Sequence, residues 1–157
     1  MIDTDDLQNN INSLLQKAGE KRKISSIEQF KRIGNNRTFI IDVSGTKYFL
    51  KQFFQDKKDQ RNRFYAESSF IRYAEKVVPG FTPRMLSVDS TQKLILYEFI
   101  EGKTIQIGEV SKKEITQAAF FFEKLNQKSN INDAPSLPVA SEACFSINDH
   151  ISLINNS

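Results

Sequence analysis

The sequence predicts an α+β domain with elements in the order βββαββ, one helix ahead of them and helical stretches behind. Three observations predict it. Short runs of Ile, Phe, Tyr and Val alternate with turn residues between positions 24 and 98. A helical apolar spacing interrupts them once, between residues 64 and 76. After Gly102 the period-two pattern gives way to helix starts.

Leu7, Ile11, Leu14, Leu15 and Ala18 recur at helical spacing behind Asp5 and Asp6, which suit the positive end of a helix dipole, so an amphipathic helix opens the chain. Residues 24–30 (ISSIEQF) form a first strand, and the basic, turn-rich KRIGNNRT follows. FIIDV and TKYFLKQFF then flank Ser44-Gly45, which completes a three-stranded antiparallel meander. Phe64, Ala66, Phe70, Ile71 and Ala74 mark a helix that ends near Lys76, before Pro79-Gly80. MLSVDSTQKLILYEFIEG holds two more strands joined at Asp89-Ser90-Thr91. Ser111 and Glu114 have capping-box spacing ahead of Ile115, Ala118, Ala119, Phe122 and Leu125. A polar loop, NQKSNINDAPSLP, leads to a last helical segment around Ser146 to Ile154.

With 157 residues and 39% hydrophobic content, the chain suits one core or two small packed lobes. No run approaches the roughly 18 apolar residues of a membrane span, and MIDTDDLQNN lacks the basic and apolar regions of a secretory signal, so the expected location is cytoplasmic with no membrane partner. One cysteine, Cys144, excludes an internal disulfide, and one histidine, His150, excludes a Cys/His zinc site. The net charge of +3 is uneven: residues 21–63 hold twelve Lys/Arg against four Asp/Glu. That excess fits either an anionic partner or a solvated surface; nucleic acid is the less favoured anion, because no nucleic-acid motif accompanies the charge.

One residue asks for an explanation. In TKYFLKQFF, Phe49, Lys51 and Phe53 share a face by the period of two, so Lys51 points where aromatic rings point. An ammonium there needs an anionic partner or it loses its charge. Glu67, among Phe64, Phe70 and Ile71 on the next helix, is the candidate, against the alternative of two unrelated surface charges.

Taken in order, helix, strand, loop with Gly34-Asn35-Asn36, strand, turn, strand with Lys51, helix with Glu67, two strands and Tyr97-Glu98-Phe99-Ile100-Glu101-Gly102 resemble the amino-terminal lobe of the protein-kinase-like fold. The resemblance is to the aminoglycoside phosphotransferase and choline kinase family of small-molecule kinases. It implies a five-stranded antiparallel sheet with one αC-type helix, a hinge, and a few helices of an incomplete carboxy-terminal lobe. The implied domains are a nucleotide-binding lobe over 1–97, a hinge over 98–103 and a partial helical lobe over 104–157.

The resemblance also implies roles. Lys51 contacts nucleotide phosphates and Glu67 orients it. IGNNRTFII is similar to the family's phosphate-covering loop, with backbone N–H groups at Asn35 and Asn36 after Gly34; an Asn-rich hairpin turn reads the same way. Phe49 covers the adenine, unless it is an ordinary core ring. LILYEFIEG resembles the hinge, in which the Glu98 carbonyl and the Ile100 N–H read the base edge and Tyr97 stands at the back of the pocket. ATP or GTP with Mg2+ is the implied cofactor, and a small-molecule hydroxyl the implied acceptor, its identity open.

The family's catalytic loop resembles H-G-D-x-x-x-x-N and is followed by a metal-binding aspartate. This sequence has Asp149-His150-Ile151-Ser152 instead, so the expectation is no catalytic or metal-binding residue in this chain, no turnover by it alone, and a longer native kinase. Apolar helix faces around Phe120, Phe121, Phe122 and Leu125 are then expected to stand partly uncovered and open to self-association. The alternative is a stand-alone nucleotide-binding or protein-interaction module without catalysis.

Overall fold

A computed structural model of the chain describes residues 4–30, 36–54 and 62–131, with 134 and 151. The elements are α1 (Thr4–Lys17), β1 (Ile24–Phe30), β2 (Arg37–Val43), β3 (Thr46–Gln52), α2 (Arg63–Val77), β4 (Met85–Asp89), β5 (Leu94–Glu98), α3 (Lys112–Leu125) and α4 (Lys128–Ile131). The five strands form one sheet in the order β1-β2-β3-β5-β4, and every neighbouring pair is antiparallel.

Turn chemistry sets the registers. Ser44 and Gly45 both have positive φ, 52° and 85°, the pattern of a two-residue hairpin whose twist matches its strands. Asp42 Oδ1 accepts the Gly45 N–H at 2.9 Å, and Ser25 Oγ on the neighbouring strand accepts the Ser44 N–H at 3.0 Å. With Val43 thus opposite Thr46, Phe39 falls opposite Leu50 and Thr38 opposite Lys51. After α2 the chain reaches β4 at the sheet edge and turns back into β5, where Asp89 Oδ1 accepts from Thr91 N and Gln92 N, both at 2.9 Å. β5 therefore lies beside β3, with Tyr97 opposite Phe49 and Ile95 opposite Lys51.

The alternation gives the sheet two unlike faces. One carries Phe39, Ile41, Val43, Leu50, Leu94 and Leu96, and Leu7, Ile11, Leu14 and Leu15 of α1 close over it as a wholly apolar core. Ser87 Oγ donates to the Leu14 carbonyl at 2.7 Å and ties that helix to β4. α1 then stops in a Schellman arrangement: the Gly19 N–H reaches Gln16 O at 3.0 Å, the Glu20 N–H reaches Leu15 O at 2.9 Å, and Gly19 takes φ 83°. The other face carries Phe53, Ile95 and Tyr97, packed with Ile71 of α2 and flanked by Phe49, Phe64, Phe70, Met85 and Val88.

α2 begins at Asn62, whose side chain accepts the Tyr65 N–H at 3.0 Å. α3 begins with the expected capping box: Ser111 Oγ accepts from Lys113 N at 3.2 Å, and Glu114 reaches back to the Ser111 N–H at 2.8 Å. None of the α3 residues is buried. It meets the lobe through Phe81, stacked on Phe121 at 5.7 Å, and through the Tyr73 hydroxyl, which donates to Leu125 O at 2.7 Å. Ile115 and Phe122 stand exposed, Phe122 at 68%.

The structure departs from the sequence reading in detail. β3 ends at Gln52, because the Phe53 N–H turns to Lys93 O (3.0 Å) and the Phe54 N–H to Asn36 Oδ1 (3.0 Å). The buried side of α2 includes Ser68, Ser69 and Tyr73, while Phe70 is only half-buried. The polar stretch after α3 contains the single turn α4, too short to leave a periodic signal. The segment expected to be helical around 146–154 lies outside the described residues, apart from a helical Ile151. No helix among the described residues is long and apolar enough to cross a membrane.

Candidate functional site

The site grows from the period of β3. Lys51 lies on the same face as Phe49, and α2 crosses this face so that Glu67 comes down on the ammonium: Lys51 Nζ and Glu67 Oε2 are 2.5 Å apart. Their side chains are 16% and 32% exposed, so the pair is neither sealed into the core nor free in water. The Lys51 ammonium also stands 4.9 Å from the centroid of the Phe53 ring, a cation over an aromatic face.

Tyr97 of β5 completes the cluster. Its hydroxyl donates to Glu67 Oε1 at 2.9 Å, so the carboxylate is held from two strands at once. The tyrosine is 3% exposed. Burial pushes its phenol far above the ordinary range, and the charge of Glu67 adds to the effect. The rings of Tyr97 and Phe49 are 6.5 Å apart and tilted, with Phe49 half-buried.

Beyond Phe49 this face opens. Ile40, opposite Phe49 on β2, is half-buried, and Phe30 at the end of β1 is 48% exposed. The apolar cluster on this side is drawn from β3, β4, β5 and α2.

Of the other residues singled out in the sequence, Glu98 ends β5, and its carboxylate has a structural partner. The Arg84 N–H and Nε donate to it at 2.9 and 3.0 Å, and the Glu98 N–H donates to Arg84 O at 3.0 Å. The two bonds to the carboxylate, that from the Arg84 backbone N–H first, lower the Glu98 pKa. Ile100 is exposed in the extended link that follows β5, and Lys47 lies 5.6 Å from the ring of the adjoining Phe99. Asn36 fastens the ends of β2 and β3 through its side chain. Gly34 and Asn35 lie outside the described residues.

Sequence reasoning missed a second cluster. Glu20, just past α1, accepts from the Arg22 guanidinium at 2.6 and 3.0 Å and from the Tyr48 hydroxyl at 2.7 Å. Glu20 and Arg22 stand two apart, which was a local signal; Tyr48 gave none. A groove of about 550 Å³ also lies between α1 and β1 on the closed face, beside Leu7, Ile27 and Phe39. Arg37, which lines it, lies over the Phe39 ring at 5.2 Å and donates to Gln52 at 3.3 Å. Among the described residues no group of three or more His, Cys, Asp or Glu is placed to hold a metal ion.

No family model matches the chain, and no curated protein matches it. Among solved structures it is similar to a protein provisionally assigned as a fructosamine-3-kinase, from Thermobifida fusca YX-ER1. The TM-score is 0.50 at 12% identity, and the match covers 66% of this chain and 34% of that one. The fold is that of a kinase-like amino-terminal lobe. At this identity the likeness speaks to fold alone, and the matched part spans about a third of the other protein's length. Within that fold, the five-stranded antiparallel sheet and the helix between β3 and β4 agree with the layout expected from the sequence.

Proposed function

We propose that this chain is the nucleotide-binding lobe of a small-molecule kinase, of the aminoglycoside phosphotransferase and choline kinase type, that transfers a phosphoryl group to a hydroxyl. The observation that carries the reading is the pair of Lys51 and Glu67, 2.5 Å apart on the half-open face of the sheet. A partly exposed ammonium with one fixed carboxylate partner can still donate to phosphate oxygens, the task a kinase gives this lysine.

On this reading Phe49 covers the base, the Glu98 carbonyl and the Ile100 N–H meet its edge, and Asn35 and Asn36 lie over the phosphates after Gly34. The nucleotide is ATP or GTP, bound with Mg2+. The sequence has no H-G-D-x-x-x-x-N motif, so the metal ligands and the carboxylate that positions the acceptor come from outside it. The lobe spans 1–97, the link 98–103, and 104–157 begins a helical lobe that builds the acceptor site. By itself the chain binds nucleotide and does not turn it over. A cytoplasmic location, where nucleoside triphosphates are held, goes with this reading, as does self-association through the exposed side of α3.

Titration calorimetry with Mg·ATP and Mg·GTP tests the proposal. The wild-type chain is expected to bind at least one of them, and Lys51→Ala to weaken that binding about tenfold or more, the effect of losing charge-assisted bonds to phosphate. The thermal midpoint of the variant should stay close to the wild-type value. Binding of neither nucleotide, or equal binding by Lys51→Ala, overturns the assignment.

A further inference from the structure

Glu67 has two oxygens, and two different strands claim them. Oε2 accepts from Lys51 of β3 at 2.5 Å, and Oε1 accepts from the Tyr97 hydroxyl of β5 at 2.9 Å. A phenol as buried as Tyr97, at 3% exposure, needs an acceptor for its O–H, and the carboxylate supplies one. The two strands are direct neighbours, with Phe49 opposite Tyr97 and Lys51 opposite Ile95, so the ladder between them fixes the backbone positions from which the ammonium and the hydroxyl reach Glu67. A carboxylate bound at both oxygens cannot swing about its side chain without giving up one bond. The sheet therefore dictates where Glu67 must sit, and through Glu67 where α2 sits.

Either bond alone would leave freedom. Lys51 ends a flexible chain and could follow Glu67 outward, because an ammonium makes few directional demands. Tyr97 cannot follow: its ring is held among Phe53, Ile71 and Ile95, and its hydroxyl stands at one place. The rigid partner therefore fixes the carboxylate, and the carboxylate fixes the flexible one.

We propose that Tyr97 is a positioning residue for Lys51: its hydroxyl latches Glu67 to β5, keeping α2 inward and the ammonium at the inner end of the open face before any nucleotide arrives. The proposal rests on the nucleotide-binding reading and deepens it. It makes the Lys51 arrangement a property of the resting lobe, with no separate switching event, and lowers the reorganisation that binding has to carry out.

Two measurements on the same chain test it. The first is the 1H–15N signal of the Lys51 ammonium in 15N-lysine-labelled, ligand-free protein, assigned by its loss in Lys51→Ala. A held ammonium gives a resolved, slowly exchanging signal, and Tyr97→Phe should broaden or abolish it although the ring is kept. The second is Mg·ATP affinity: Tyr97→Phe should weaken it about tenfold, and the same substitution in a Glu67→Ala background should change it less than about twofold, because the route through Glu67 is already gone. An unchanged Lys51 signal in Tyr97→Phe, or effects of the two substitutions that simply multiply, overturns the latch and leaves Tyr97 an ordinary core phenol. If the wild type binds neither Mg·ATP nor Mg·GTP, the nucleotide reading fails, and the Lys51 signal alone still decides whether Tyr97 fixes the pair.

Discussion

Both faces of the sheet carry the same trio, a tyrosine hydroxyl donating to a glutamate that also holds a cation. On the closed face Tyr48, Glu20 and Arg22 form it; on the open face Tyr97, Glu67 and Lys51 do. The two differ in where their members come from. Arg22 wraps Glu20 from two residues away, using its backbone N–H at 2.9 Å as well as its guanidinium, and it is 50% exposed at the rim of a core already filled by Leu and Ile. Its Nη2 reaches on to Thr46 Oγ1 at 3.1 Å, so the trio pins the chain leaving α1 to the β2-β3 hairpin. Lys51, Glu67 and Tyr97 come from three separate elements and occupy ground that apolar side chains would otherwise fill. One arrangement is a staple for a linker; the other displaces packing, and a fold retains such a group where it has a use.

The comparison is broken most directly by removing one side chain from each face. Leu14 is wholly buried against the sheet, and Leu14→Ala should cost about 3 kcal/mol in urea unfolding, the usual loss of transfer energy plus a cavity. Lys51→Met, which keeps the stem and deletes the charge, should cost less than about 1 kcal/mol, because the pair it breaks is partly solvated and Tyr97 still satisfies one oxygen of Glu67. If Lys51→Met proves the more damaging, the open face is a structural core like the other one, and the functional reading of its charges loses its basis.

The same contrast explains what the sequence could reveal. The five strands and α2 were legible because Ser44-Gly45, Pro79-Gly80 and the switch between periods of two and 3.6 are local signals. Lys51 with Glu67 was legible because each sat at an apolar-facing position, where a partner is a better account than two unrelated surface charges. The bond from Tyr97 was not, since LILYE is apolar enough that its period of two does not say which face Tyr97 takes. That is decided by β5 inserting beside β3, a long-range pairing that no neighbouring residue announces. For Asn36 the loop pattern directed attention to the backbone and gave no sign of its side-chain bond to the Phe54 N–H, which pairing of β2 with β3 creates. The partner of the Glu98 carboxylate, Arg84, stands fourteen residues earlier and left no local signal either.

Alkali should act on the tyrosine of the open face. Burial raises the Tyr97 pKa above its ordinary value of 10, so the folded chain keeps this proton while the unfolded chain gives it up. The associated stability is whole below pH 10 and is lost as pH rises beyond it. Tyr48 moves the same way, burial again first, from a less buried place, so Tyr97→Phe should flatten the alkaline fall in the unfolding midpoint more than Tyr48→Phe does. Equal flattening would mean that the two hydroxyls are equally desolvated and that depth does not separate the trios.

Acid should act on the carboxylate of the closed face, and more weakly. The side-chain bonds from Arg22, then its backbone N–H, then the Tyr48 hydroxyl hold Glu20 well below the ordinary carboxylate value of 4.5. A depressed folded pKa contributes stability that is present above the unfolded value and is lost as pH falls toward the folded one, so the loss begins below about pH 4.5. Glu20→Gln removes that dependence and keeps a carbonyl for Tyr48, so its unfolding midpoint should change less between pH 5 and pH 3 than the wild type's. The effect is small because Arg22 already lies half in water and its attraction is screened by salt; raising the salt concentration should shrink the difference further. A difference between wild type and Glu20→Gln that persists undiminished in high salt would place this trio in a drier setting than its rim position implies, and the distinction between a surface staple and a desolvated latch would then fail on the side where it is easiest to measure.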